Sequence, residues 1–165
     1  MDNKKRMMFV LEEDYYYITI KILLILRCLN CTKKYFKDYQ KLSFLLEFIK
    51  GDSYIRLLKK SILDSVNIHL EDREKLVNVY YKAKLNNAVI QRVLFFLEKK
   101  KIIELKKDIR TRTIDIKLIE IEMVDEIFKE DIFKKDEDIC NMIKEIYPRV
   151  SSVKYDTFTE KVFGY

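Results

Sequence analysis

The stretch NAVIQRVLFFLEKKK, residues 87–101, runs without a helix breaker into IIELKKD (102–108), IRTR (109–112) and TIDIKLIE (113–120). On a helical wheel Val89, Ile90, Val93, Phe96 and Leu97 share one arc, which predicts a helix with that arc buried. Asn87, Ala88, Gln91, Arg92, Phe95, Glu98 and Lys99 point the other way. In the last segment Ile114, Ile116 and Leu118 alternate with Thr113, Asp115 and Lys117, which predicts a strand with one apolar and one wet face. Ile102, Ile103 and Leu105 fall in its partner strand. The connection carries no glycine, so a loop of three to five residues fits better than a two-residue primed turn. A helix delivered into a charged hairpin after shorter helices is the order of a winged helix-turn-helix. The expected fold is mainly α with a small β-hairpin, a winged helix-turn-helix domain carrying N-terminal and C-terminal helical additions.

Upstream, Glu71 to Lys84 reads as the preceding helix, with acids in its first turn and lysines in its last, as the helix dipole favours. Leu85, Asn86 and Asn87 then make the turn, with an asparagine as the next N-cap. Ser53–Ser65 is a third amphipathic segment. Tyr39 to Lys50 is a second helix, capped by Asp38 and ended by Gly51 at C′. Its Tyr39, Leu42, Leu45, Leu46 and Ile49 form one stripe. Phe44 and Phe48, four apart, begin another, so this helix has apolar material on two sides. Tyr15–Asn30, capped by Asp14, is apolar nearly all round: either a central strut or a surface covered by a partner. Residues 1–13 form a separate N-terminal segment, 14–120 the helical bundle with its winged helix, and 121–165 acidic helices with an aromatic tail. In that last part Met123–Lys129 and Ile132–Tyr147 read as helices, the second with a stripe from Ile132 to Tyr147 and stopped by Pro148. Val153, Tyr155, Phe158, Val162 and Phe163 are expected to pack on the domain or on a partner.

The charge is uneven. Asn86 to Arg112 carries eight basic residues against three acidic, whereas Glu120 to Glu145 carries ten acidic against four basic, within a net charge of +6. Cys28, Cys31 and Cys140 have no disulfide-framework spacing and fit reduced, buried thiols in a cytoplasmic protein. Cys28 and Cys31 have knuckle spacing, but a structural zinc site needs four ligands and only Cys140 and His69 remain. The apolar run 18–29 is interrupted by Lys21 and Arg27 and falls short of the roughly 20 residues of a membrane span. The two glycines are Gly51 and Gly164, which excludes a glycine-rich phosphate loop. His69 is the single histidine, with no nucleophile near it in sequence. These features exclude the common catalytic motifs, and the reading is non-enzymatic, without metal or cofactor.

Two kinds of contact residue follow. Lys106, Lys107, Arg110 and Arg112 on the wing are candidates for nucleic-acid backbone contact. Phe95, alone among large apolar residues on the outward arc of its helix, reads as a protein-docking anchor, and Phe44 and Phe48 as partner-facing residues beside it.

KILLILRCLN (21–30), DYQKLSFLLEFI (38–49) and FFLEKKKIIEL (95–105), in that order within helices and a winged helix, resemble the middle-component subunits of ABC-three-component systems, a family that includes the small accessory subunit of Lamassu-type antiphage defence. The resemblance covers roughly Tyr15 to Leu105 and rests on a hydrophobic pattern. It implies a small cytoplasmic winged-helix adaptor in a hetero-oligomer with an SMC-like ATPase and an effector such as a nuclease, reaching double-stranded DNA through the complex. The alternative is a free-standing winged-helix DNA-binding transcriptional regulator, which would be a dimer with a steep salt dependence.

Overall fold

The computed structural model describes residues 3–164, and side chains from Tyr15 to Gly164. Among these residues seven helices pack with a two-stranded antiparallel hairpin: α1 Asn3–Cys28, α2 Gln40–Phe48, α3 Asp52–Leu63, α4 Leu70–Lys99, β1 Ile103–Asp108, β2 Thr113–Leu118, α5 Ile121–Ile127, α6 Lys134–Ile146 and α7 Tyr155–Phe163. The mainly helical class with one small hairpin is as the sequence pattern predicts.

Helix α1 starts at Asn3 and passes through Asp14, which therefore does not cap it. Its side chains before Tyr15 lie outside the described residues. Five successive apolar residues, Ile22 to Leu26, are buried, so the helix is the central strut. The chain's own α2, α4, α5, α6 and β2 cover it. The acidic helices are tied to it by charge: Lys21 pairs with Asp136 at 2.6 Å, and Arg27 with Asp125 and Glu137.

Helix α2 has no wet side; even Lys41, Ser43 and Glu47 are buried. Asp38 does support its start, accepting the Gln40 N–H at 3.1 Å. Gly51 is not the expected left-handed C′ residue. Its φ of 172° is extended backbone, and it serves as the N-cap of α3.

With glycine scarce, other residues take the left-handed positions: Asn30, Asp38, Lys101 and Arg112 all have φ near 56°. Asn30 closes α1, the Cys31 N–H returning to the Leu26 carbonyl at 2.9 Å; Lys101 closes α4, the Ile102 N–H returning to Leu97 at 3.0 Å. Gly164, at φ 78°, ends α7 in the same way.

The largest departure from expectation is α4. The two helices and the turn expected at Leu85–Asn87 are one continuous helix of 30 residues. No proline or glycine interrupts it, and Asn86 spends its side-chain amide on the Glu47 carboxylate, 3.3 Å away on α2, instead of on a cap. Tertiary contact outweighs the cap preference. The break expected between Ser65 and Glu71 is present at Asp64–His69, through a short 3₁₀ turn, and His69 is exposed at the N-cap.

The hairpin register pairs Ile103 with Leu118 and Leu105 with Ile116 on one face, Glu104 with Lys117 and Lys106 with Asp115 on the other. A third extended piece joins it: Phe36 exchanges backbone hydrogen bonds with Ile116 at 2.7 and 2.9 Å. This piece encloses one residue of the face expected to be wet. Asp115 is buried, bonded to the Lys37 ammonium at 2.8 Å and to the Asp38 N–H at 3.0 Å. The four-residue loop 109–112 lies within the expected length. Asp108 accepts the N–H groups of Arg110 and Thr111 there, which holds its carboxyl below the usual carboxylate range.

Downstream, α6 starts at Lys134, and Ile132 is exposed in the 3₁₀ turn before it, so the buried stripe runs from Ile139 and not from Ile132. The aromatic tail packs on the chain itself through Val150, Phe158 and Val162.

Candidate interaction surfaces

Phe44 and Phe48 are fully buried and do not face a partner. Phe44 sits in a ring cluster with Tyr80 of α4 and Tyr155, Phe158 and Phe163 of α7, at centroid distances of 5.1 to 6.0 Å. Phe48 stacks on Phe163 at 6.3 Å. The second stripe of α2 exists because α7, more than a hundred residues downstream, returns to cover it.

The same return explains Lys41. Its ammonium is enclosed against the turn before α7, donating to the carbonyls of Val150 and Val153, both at 2.6 Å, and reaching Ser151 at 3.5 Å, over the Phe36 ring. Burial pushes it down to about 7, against the pull of the Asp38 carboxylate. Buried lysine on an otherwise polar-looking position left no periodic signal in the sequence.

On α4, Phe95 and Phe96 are both about half exposed. Phe95 thus faces outward as expected. Phe96 does not belong to the buried arc; Leu94 takes its place there. Successive residues stand 100° apart, so the two rings straddle the helix. Phe96 turns toward α1, where it lines a cleft of about 470 Å³ with Tyr15, Tyr16, Thr19, Arg92 and Val93. Arg92 reaches the Tyr15 hydroxyl at 3.4 Å. The cleft is largely aromatic with one cation at its edge. Tyr15 and Tyr16 were legible only as part of an all-round apolar helix.

The four wing cations are exposed, but the register separates them. Lys106 lies opposite Asp115 and over the Tyr35 ring, 5.4 Å from its centroid; Lys107 is on the other face opposite Ile114; Arg110 and Arg112 are on the loop. They do not form one flat cationic face.

Cys31 is buried, and burial raises its thiol to about 12. Cys28 is half-buried and pairs with Cys140 of α6, not with its sequence neighbour Cys31; the Cys140 thiol bonded to it lowers Cys28. Among the described residues no three of His, Cys, Asp and Glu converge as a metal site would need, and no helix is long and apolar enough to cross a membrane.

Compared with known proteins, the chain matches no family model, no curated protein and no solved structure.

Proposed function

We propose that this chain is a non-catalytic adaptor that works by docking, in a hetero-oligomer with an SMC-like ATPase and an effector such as a nuclease in antiphage defence. The observation that supports this most directly is the aromatic cleft between α1 and α4. Tyr15, Tyr16 and Phe96 leave apolar surface in water, a lining suited to one large apolar side chain of a partner. The winged-helix part of the reading moves with the observed turn. α3 and the first half of α4 become the helix pair, and the Phe36 segment, β2 and β1 the sheet of the wing. Lys106, Lys107, Arg110 and Arg112 then contribute backbone contacts to duplex DNA held by the assembly, not a base-reading surface.

The test is affinity capture with the coiled-coil ATPase that this reading expects to be encoded beside this chain. Tyr16→Ala with Phe96→Ala is expected to weaken capture by about 2 kcal/mol or more, as hot-spot aromatics do, with the thermal melt of the isolated chain unchanged. Capture unaffected by both substitutions, or no coiled-coil ATPase gene beside this one, overturns the reading.

A further inference from the structure

Helix α4 has a second apolar face. Its inner side buries Leu76, Val79, Ala83, Ile90, Val93, Leu94 and Leu97 in the core. On the opposite side, at 100° per residue, Leu70, Glu74, Val77, Tyr81, Leu85, Ala88, Arg92 and Phe95 fall within an arc of about 80°. All of them are exposed, Leu85 at 81% and Tyr81 at 65%. The arc extends about 38 Å along the helix. Six of its eight residues are apolar, and no described residue buries them.

The order of these residues says what covers them. About the midpoint of the arc, between Lys82 and Ala83, the chemistry is complementary to its own reversal. An antiparallel two-fold pairing of α4 with a second α4 sets Leu70 against Phe95, Val77 against Ala88 and Tyr81 against Leu85. The two charges in the arc, Glu74 and Arg92, then face each other with opposite sign, once on each side of the axis. A parallel pairing instead sets Glu74 against Glu74 and Arg92 against Arg92. Among the described residues Glu74 has no ion pair, and Arg92 has only its long contact to the Tyr15 hydroxyl. A closed, isologous contact of this kind uses one patch twice, which is the commonest symmetry of soluble oligomers.

We propose that the chain forms a homodimer through the outer face of α4, antiparallel, with Glu74 of each copy paired to Arg92 of the other. This assigns Leu70 to Phe95 to a second copy and leaves the flanking Phe96 cleft to the foreign partner. The inference rests on the arc and not on the adaptor reading.

Light scattering on the purified full chain at tens of micromolar tests it. Expected is twice the chain mass, with Leu85→Glu giving a folded monomer by circular dichroism. Glu74→Arg is expected to raise the dimer dissociation constant at least about tenfold, through facing like charges, and Glu74→Arg with Arg92→Glu to restore the dimer. A wild-type monomer, a dimer insensitive to Leu85→Glu, or failure of the double charge swap to restore what the single one breaks each overturns the proposal. A monomer that still captures the ATPase sinks the dimer alone; a dimer that captures nothing sinks the adaptor alone.

Discussion

Phe44 and Phe48 on α2 and Phe95 and Phe96 on α4 are two phenylalanine pairs on helices that both carry more apolar residues than one buried face needs, yet they end differently. The first pair is enclosed by Tyr155, Phe158 and Phe163 of α7; the second stays in water. Periodicity reveals how many faces of a helix are apolar. Which of them the chain covers depends on elements distant in sequence, and that difference separates a core residue from a docking residue of the same type.

The comparison breaks most easily at Phe44. Phe44→Ala removes a fully buried ring from a cluster of four others, and is expected to cost about 3–5 kcal/mol in urea unfolding. A cost below about 1 kcal/mol would mean that α7 does not hold the position described, and that the α2 stripe is open after all.

Next in size is Lys41, the polar member of the same enclosed region. Lys41→Met leaves the Val150 and Val153 carbonyls without their donor and is expected to cost about 1–3 kcal/mol near neutral pH. The wild type carries a pH signature as well. The folded pKa is depressed to about 7 from 10.5, so across that window the unfolded chain binds a proton that the folded chain has released, and stability rises with pH. The opposite sign enters from above about pH 8, because the Cys31 and Cys140 thiols, and at still higher pH Tyr17, Tyr39, Tyr147 and Tyr155, are raised and the folded chain then holds the extra protons. Unfolding free energy is therefore expected to climb from pH 7 to about pH 8 in the wild type and to stay flat over that range in Lys41→Met. Equal slopes in both would remove Lys41 as the cause.

The helical class, the hairpin, its loop length and the outward side of Phe95 were all legible, because each depends on periodicity or turn chemistry within a dozen residues. The expected turn at Leu85–Asn87 was not. Asparagine pairs are strong cap candidates locally, and what engages Asn86 here is Glu47, nearly forty residues upstream. Asp115 looked wet for the same reason: alternation places it opposite the apolar face, but the Phe36–Asp38 segment lies across it. The outer arc of α4 was hidden by the false turn itself. Split into two helices, Leu70 to Tyr81 and Leu85 to Phe95 never share a wheel; joined, they make one face.

The smallest expected effect is on the exposed side of the comparison. Phe95→Ala truncates a half-exposed ring with no ring partner among the described residues, while Leu94 and Leu97 keep the core side of α4 filled. The intrinsic stability of the chain is expected to change by no more than about 0.5 kcal/mol. The measurement belongs in the Leu85→Glu background, where association cannot add to the apparent stability by mass action. A loss as large as that of Phe44→Ala would put Phe95 inside the core, and the outer face of α4 would then have to be redrawn with the helix rotated by about one residue.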